Sequence, residues 1–232
     1  MNKLSVLMLT NSDDDYKLFM TRRTIQTLRY SWKNITVSLV DSGSKSYNWL
    51  YADLVGDYVY PSLPFNYNQF LNIAFRNIDF ETDWILITNN DVSYDKNWFT
   101  EILKIHEKRP DITSFSPNDP LFFMKYYPMS FIGTDEDYLE AYDVTAAVSG
   151  WSILIKKESA DKIFPLDEQF DMYYQDNDYA LTIKQLGIKH AIVRNSVASH
   201  LNTLNVLEKS ITAQAKMKED ELKFRNKWKI YT

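Results

Sequence analysis

The 232-residue chain contains no cysteine. This absence excludes disulfide scaffolds, thiol nucleophiles, iron–sulfur clusters and cysteine-based zinc sites. Glycine is scarce as well, with only five residues, and neither of the glycine-rich phosphate-binding signatures, GxGxxG and GxxxxGK[ST], occurs in the sequence. Any metal must therefore be held by oxygen and imidazole ligands, and any phosphate must be bound without a glycine-rich loop.

The chain also lacks an excess of basic residues and long apolar runs. The 26 Lys and Arg residues are outnumbered by 31 Asp and Glu residues, so a globally basic nucleic-acid-binding protein is not expected. No run approaches the roughly 18 apolar residues of a membrane span, and the apolar start is too short for a secretory signal. The 45% of hydrophobic residues is typical of a compact globular protein, and we expect it to be soluble and cytoplasmic.

Short apolar segments alternate with segments of helical spacing in the first half of the chain. We predict strands over 3–10, 35–40, 84–88 and 112–115, and helices over 16–32, 68–77 and 98–106. Such alternation indicates the α/β class, with βαβ units and a mostly parallel central sheet flanked by helices. Ligands of such sheets bind at the carboxyl ends of the strands, where Thr10, Asp41, Asn89, Asn90 and Asp91 are expected.

The second half of the chain has a less regular pattern. We predict a long strand over 144–155, a helix over 176–186 ended by Gly187, a strand over 188–194 and a helix from 204 onward. The last helix carries an apolar stripe at Leu207, Ile211, Ala215 and Leu222. We predict one domain over 1–203, made of a regular half (1–116) and a less regular half (117–203), followed by a C-terminal helical extension over 204–232.

Two segments of this second half allow more than one interpretation. The aromatic-rich insertion over 117–143 either fills a core or a dimer interface, or stacks on the rings of a bound sugar or nucleobase. The basic residues at the C-terminus are Lys223, Arg225, Lys227 and Lys229. They form a solvated face, or they contact the phosphates of DNA, a lipid head group or an anionic membrane.

Asp91 and His200 are candidate metal ligands. Asp91 directly follows a buried strand, and its carboxylate there could hold a hard divalent cation together with a diphosphate. The alternative is a polar turn, because Asn and Asp are good turn formers. His200 also follows a strand, and its imidazole would suit Mn²⁺ better than Ca²⁺, although a single His is more often structural.

Asp176, Asp178 and Asp41 are candidates for other roles. Asp176 and Asp178 lie at the start of a predicted helix, where Asp caps the helix and complements its dipole. Residues two apart on a helix cannot face the same way, so at most one of these two meets a substrate as a base while the other supports it. Asp41 either caps a turn around Gly43 or accepts a hydrogen bond from a nucleobase N–H.

Together these segments resemble the GT-A glycosyltransferases, and specifically the family 2 group of inverting, nucleotide-sugar-dependent enzymes. The resemblance covers roughly residues 3–200. The matching segments occur in the order found in the family and are LSVLMLT (4–10), VDSGS (40–44), FLNIA (70–74), LITNNDV (86–92), VSGW (148–151), LDEQF (166–170), YQDNDY (174–179) and LG (186–187).

The resemblance implies a Rossmann-like GT-A fold, with a nucleotide-binding half over 1–116 and an acceptor and catalytic half over 117–203. It also implies a role for each matching residue. Asp176 would be the catalytic base, with Asp178 holding the start of its helix. The other implied roles are metal binding by Asp91, His200 and Asn89, nucleotide binding by Thr10, Asn11, Asp41, Asn68, Asn72 and Asn90, and donor-sugar binding by Gly150 and Trp151. The cofactor would be Mn²⁺ or Mg²⁺.

The implied substrates are a nucleoside-diphosphate sugar and an acceptor with a free hydroxyl, most simply a glycan, with a lipid-linked sugar or a DNA base as alternatives. A homodimer is also compatible with the sequence. Three residues depart from the family pattern. Asn89 replaces the first Asp of the DxD motif, Gln175 replaces the Glu of an ED pair, and Ser42 replaces a frequent Asp or Asn. These departures leave open a catalytically impaired module that binds nucleotide sugars.

Overall fold

The computed structural model describes residues 2–79, 81–120, 131, 135–144, 147–201 and 211–230. Most aromatic residues of the predicted insertion, among them Phe122, Phe123, Tyr126 and Tyr127, lie outside these ranges, as does Leu207 of the predicted C-terminal stripe. The interpretation of these residues therefore stays a prediction.

The described strands are β1 (Leu4–Thr10), β2 (Ile35–Asp41), β3 (Asp57–Val59), β4 (Trp84–Thr88), β5 (Val92–Tyr94), β6 (Ile112–Asn118), β7 (Tyr138–Glu140), β8 (Ser152–Lys156) and β9 (Lys189–His200). The described helices are α1 (Asp15–Ser31), α2 (Tyr67–Phe75), α3 (Trp98–Lys108), α4 (Lys157–Ile163), α5 (Gln175–Gln185) and α6 (Ile211–Trp228). The predicted elements of the first half of the chain are thus confirmed, with boundaries shifted by a few residues.

The strands form a central sheet in the order β3-β2-β1-β4-β8-β6-β9-β5, with β7 paired to β9. Strands β1, β2, β3 and β4 are mutually parallel. Strand β8 runs antiparallel between β4 and β6, with Thr88 opposite Ser152, while β6 and β9 are parallel. The mixed α/β class, with helices flanking a central sheet, is confirmed.

The apolar residues that predict these strands are buried on both faces of the sheet. Leu4, Val6 and Met8 of β1 belong to one buried apolar cluster, whereas Leu7 and Leu9 belong to the cluster on the opposite face. This alternation follows from the two-residue period of a strand. Because both faces are covered, ligands have access to the sheet mainly at the strand ends.

Two predicted strands differ in the structure. The long strand predicted over 144–155 is wrong, because β8 begins only at Ser152 and Gly150 and Trp151 lie in the preceding turn. That turn is held by a backbone hydrogen bond of 3.0 Å from the N–H of Asn89 to the carbonyl of Trp151. The strand predicted over 188–194 continues to His200, because β9 changes partner from β6 to β5 along its length.

The predicted apolar stripe of the C-terminal helix does not form a buried face. This holds for the two stripe residues whose side chains the structure describes. Ala215 and Leu222 of α6 are exposed. The buried positions are instead Asp220 and Phe224. The helix therefore packs through a face that combines an aromatic ring with charged groups, a combination that apolar periodicity does not reveal.

Some aromatic residues of the insertion fall within the described ranges, and they contact the edge of the sheet. The ring of Phe131 packs on Ile192 and Ala147, and the Tyr142 hydroxyl donates to the carbonyl of Ile188 at 3.0 Å. These two residues thus fit the core-filling interpretation of the insertion. Across the part of the chain that the structure describes, no helix is long and apolar enough to cross a membrane.

Candidate active site

A cavity of about 430 Å³ opens at the carboxyl ends of β1, β2 and β4. Its lining residues are Leu9, Thr10, Asn11, Lys17, Ser42, Phe65, Tyr67, Asn89, Asn90 and Met172. The structure therefore places three of the predicted nucleotide-binding residues, Thr10, Asn11 and Asn90, on the wall of one cavity. They meet there because the ends of parallel strands share one edge of the sheet.

Hydrogen bonds fix the floor of this cavity. The Asn90 side-chain amide donates to the hydroxyls of Thr21 at 3.0 Å and of Thr10 at 3.3 Å. The two threonine hydroxyls are themselves 2.7 Å apart. Thr21 belongs to α1, so this network ties the helix to the ends of β1 and β4.

Asp41 does not line the cavity, although it ends β2 beside it. Its side chain is fully buried, and one carboxylate oxygen accepts the backbone N–H groups of Ser12 at 3.1 Å and Gly43 at 2.9 Å. The other oxygen accepts the Tyr58 hydroxyl at 2.8 Å. Asp41 thus caps the turn around Gly43, the first of its two predicted roles, and its carboxylate shapes the loops after β1 and β2.

Asp91 and His200 form a pair next to the cavity. The His200 Nε2 atom lies 3.1 Å from the Asp91 Oδ1 atom, and the two side chains are 16% and 11% exposed. The backbone N–H of His200 donates to the buried Asp119 carboxylate at 2.9 Å, and the Trp151 ring stacks on the imidazole with centroids 5.5 Å apart. The pairing predicted across more than 100 residues of sequence is therefore present in the fold, held by Asp119 and Trp151.

The chemistry of this pair fits a divalent metal. One carboxylate and one imidazole are ligands that Mn²⁺ accepts, and its remaining positions would be open to phosphate oxygens or water. No third His, Asp or Glu side chain joins them within the described ranges. The Asn89 amide nitrogen, rather than its oxygen, faces His200 at 3.4 Å, so Asn89 would become a ligand only after its amide rotates.

Asp176 lies in the first turn of α5 and faces a small recess of about 20 Å³ beside the larger cavity. Desolvation in this recess raises the pKa of the Asp176 carboxyl above its usual value. Gly150 forms the opposite wall, and a Cβ atom placed there would lie 2.6 Å from Asp176 Oδ2. A glycine at 150 is therefore required for the carboxylate to occupy this position.

Tyr67 connects the two parts of the site and was not among the predicted site residues. It lines both the cavity and the recess, and its hydroxyl is 3.5 Å from Asn89 Oδ1. Desolvation raises the pKa of Tyr67, and the negative charges of Asp176 and Asp91 raise it further. The phenol is thus a hydrogen-bond donor between the two carboxylates. Its one sequence signal is its place as the first residue of α2, directly after the capping Asn66.

Asp178 turns away from both the cavity and the recess. Its carboxylate accepts the Trp228 indole N–H at 2.8 Å and forms an ion pair with Lys227 at 2.8 Å, both from α6. The two carboxylates point in different directions, as expected of residues two apart on a helix, and the prediction that at most one of them meets a substrate stays a prediction. Through these two contacts Asp178 joins α5 to the C-terminal helix α6, in addition to its place in the first turn of its own helix.

Asn68 and Asn72 hold a neighbouring loop instead of lining the main cavity. The Asn68 amide donates to the carbonyl of Asp167 at 2.8 Å, and Asn72 donates to the carbonyl of Leu166 at 2.9 Å while accepting its N–H at 2.7 Å. Both side chains are buried. Direct nucleotide contact was predicted for them, but their amide groups are engaged with the backbone of residues 166 and 167.

Fold and site together define a GT-A-like glycosyltransferase fold: an α/β sheet with polar side chains gathered at the ends of its parallel strands. Two solved structures have this fold in common with the chain. The mannosyltransferase PcManGT from Pyrobaculum calidifontis, in complex with GDP-Man and Mn²⁺, is 13% identical and matches with a TM-score of 0.65 over 86% of this chain and 56% of its own. TarS 1-349 from S. aureus is 11% identical and matches with a TM-score of 0.58 over 84% of this chain and 59% of its own.

The chain thus spans a little over half the length of each of these structures. No family model matches the sequence, and no curated protein matches it significantly. The likeness is therefore one of fold.

Proposed function

We propose that the protein is an inverting glycosyltransferase that moves a sugar from a nucleoside-diphosphate sugar to a hydroxyl of an acceptor. The observation that carries this proposal is the division of the site by Tyr67. The Asp91–His200 pair lies on one side, beside a cavity large enough for a nucleotide, and the desolvated Asp176 lies on the other. A leaving group and an attacking group need such an opposed arrangement for a single displacement.

In this reaction Asp176 acts as the general base. It takes the proton of the acceptor hydroxyl while the acceptor oxygen bonds to the anomeric carbon of the sugar. The bond from that carbon to the diphosphate oxygen breaks, and the diphosphate leaves with the electron pair. One displacement with the base on the face opposite the leaving group inverts the anomeric centre, and no second carboxylate is needed as a nucleophile.

The residues around the cavity support the leaving group. Asp91 and His200 would hold a divalent metal, whose chemistry when bound is to neutralise negative charge on the diphosphate. Tyr67 donates a hydrogen bond between the two halves of the site, and Lys17 is the cationic side chain of the cavity lining. Thr10, Asn11 and Asn90 contact the nucleotide, while Asp41 acts through the loops that its carboxylate shapes.

The wall formed by Gly150 and Trp151 would border the donor sugar. Because glycine has no side chain, Gly150 leaves room for the Asp176 carboxylate. The ring of Trp151 is fixed by its stack on His200. These two residues therefore lie between the base and the metal-binding pair. In the proposed reaction the transferred sugar occupies this position.

A donor screen by thermal shift tests the proposal. We expect one nucleotide sugar to raise the melting temperature, and to do so more strongly with Mn²⁺ than with EDTA. GDP-Man is the first donor to test because the similar mannosyltransferase was solved with it. Free nucleotide should then be released when an acceptor is added. Two results would contradict the proposal: a rise in melting temperature that is the same with Mn²⁺ and with EDTA, or no rise with any of the common donors.

A second candidate function is a module that binds nucleotide sugars without turning them over. It is favoured by one observation: among the described residues no third His, Asp or Glu side chain joins Asp91 and His200, so the site has few charged metal ligands. Saturable donor binding with no nucleotide release across a panel of hydroxyl acceptors would support this alternative over the enzyme.

Replacing Gly150 by Ala should impair transfer more than donor binding. The added Cβ would lie 2.7 Å from the Asp176 Cβ as well as 2.6 Å from Oδ2, so rotation of the carboxylate alone does not relieve the contact. The start of α5 must shift, and a displacement of about 1 Å can lower the rate about a hundredfold. Steady-state kinetics and donor titrations measure the two effects.

Ser149→Ala is the matched control for this change. Ser149 is the neighbouring residue, and its buried hydroxyl has no hydrogen-bond partner among the described residues, so its loss should leave the rate near that of the wild type. Equal kcat values for Gly150→Ala and Ser149→Ala would show that the position of Asp176 does not depend on Gly150.

A further inference from the structure

Helix α6 lies against the segment of chain that carries Asp176. This segment runs from Asp167 through the loop to Asp178 in the first turns of α5, and it includes Tyr174 in the left-handed backbone region at a φ of 61°. On its other side the segment contacts α2, where the backbone N–H of Tyr67 donates to the carbonyl of Asp171 at 2.9 Å. The chain that presents the base is thus held between two helices.

The end of α6 binds both ends of this segment. Lys227 forms ion pairs of 2.8 Å with Asp167 and with Asp178. The neighbouring Trp228 donates its indole N–H to Asp178 at 2.8 Å. Asp178 itself is buried, so this carboxylate joins α6 to α5 two residues beyond Asp176.

The middle of α6 holds the loop between these ends. The fully buried Asp220 accepts the backbone N–H of Tyr173 at 3.2 Å and forms ion pairs with Lys216 and Lys223 of its own helix. The Phe224 ring contacts the rings of Phe170 and Tyr174, with centroids 6.5 Å and 5.3 Å apart.

Further cations of α6 face the loop. Lys216 forms an ion pair of 2.9 Å with Asp171, and Lys223 donates to the carbonyl of Gln169 at 3.2 Å. Lys223 and Lys227 are therefore engaged with carboxylates and carbonyls of the chain itself. Arg225 pairs with Glu221, so these three basic residues have acidic partners within the chain, and contact with DNA or lipid phosphates stays a prediction.

We propose that α6 is a positioning element for the catalytic base, and that Asp178 is the positioning residue through which the helix fixes the orientation of Asp176. This inference rests on the proposed function, because it assigns the helix a role in that reaction. Hydrogen bonds and ion pairs made to buried carboxylates, here Asp178 and Asp220, fix orientation even where they add little net stability. A general base must be held within about 0.5 Å of the position at which it hydrogen-bonds the group that it deprotonates.

The test compares Lys227→Met with Lys227→Arg in the 232-residue chain. Lys227→Met removes both ion pairs while keeping the length of the side chain, and we expect kcat to fall about ten- to a hundredfold while the donor dissociation constant changes less than about twofold. Lys227→Arg restores the charge and the donors and should recover most of kcat. Hydrogen exchange of amides in 167–178 should be faster in Lys227→Met, with unchanged exchange in β1 and β4.

Lys218→Met is the matched control, because Lys218 is an exposed lysine of the same helix. It should match the wild type in kcat and in exchange. If Lys227→Met does not fold, Trp228→Phe keeps an aromatic ring and removes the indole N–H that binds Asp178, with a smaller loss of kcat expected.

Two failures are distinguishable in this experiment. A wild-type protein that binds donor and turns over no acceptor contradicts the proposed function. With an active wild type, two results overturn the positioning role of α6. One is a kcat of Lys227→Met equal to that of the wild type, and the other is a fall in kcat accompanied by an equal loss of donor affinity.

Discussion

Asp176→Asn should lower the rate of sugar transfer about a thousandfold while the protein still binds its donor. The amide has nearly the shape of the carboxylate, so the recess beside Gly150 stays filled, but an amide does not take the acceptor proton. General-base catalysis by a positioned side chain contributes about 10²- to 10⁴-fold to a rate. Desolvation raises the pKa of Asp176, which makes it a stronger base than an exposed Asp, so we expect a loss within this range.

Single-turnover kinetics with the donor identified in the screen measure this loss, and isothermal titration of the same variant measures donor binding. Asp53→Asn is the matched control, because Asp53 is an exposed carboxylate in the loop before β3. Transfer by Asp176→Asn at a rate near that of the wild type would mean that another group takes the proton.

Asp91→Ala should remove the metal-dependent part of the nucleotide affinity. Loss of groups that only support a metal ligand costs about 10- to 100-fold in metal affinity, and loss of the ligand itself should cost at least as much. His200 would keep its place through Asp119 and Trp151, so the change is confined to the carboxylate. Donor titrations with Mn²⁺ and with EDTA should give different dissociation constants for the wild type and equal ones for the variant.

Asp53→Ala controls for the loss of a negative charge elsewhere on the chain and should retain the metal dependence. If Asp91→Ala binds donor more tightly with Mn²⁺ than with EDTA, by the same factor as the wild type, then the metal does not depend on Asp91. That result would leave the donor cavity in place and move the metal away from the Asp91–His200 pair.

The sequence predicts the fold and the location of the site because both depend on local patterns. Buried strands read as apolar runs, and the polar residues that follow them, such as Thr10 and Asn90, must meet at one edge of a parallel sheet. The α/β class and the cavity at that edge were therefore predictable. The pairing of Asp91 with His200 was reached through the resemblance, since no local pattern links residues so far apart.

The orientation of individual side chains was not predictable, because it depends on tertiary contacts. Asp41 was predicted either to cap the turn around Gly43 or to meet a nucleobase, and only the structure shows that its carboxylate accepts three hydrogen bonds from its own chain. Asn72 was expected at the nucleotide and holds the backbone of Leu166. The same holds for α6, whose buried face is identified by ion pairs with Asp178 and Asp167 rather than by apolar spacing.

The antiparallel strand β8 has a consequence for how this protein can be divided. Thr88 and Ser152 face each other in the β4–β8 ladder, and the next residues, Asn89 and Trp151, share a backbone hydrogen bond of 3.0 Å. The segment that bears Asp91 and the segment that bears Gly150 therefore leave the sheet from the same rung. A graft of either segment must therefore reproduce this rung to keep the Asp91–His200 pair and the Gly150 turn in their present relation.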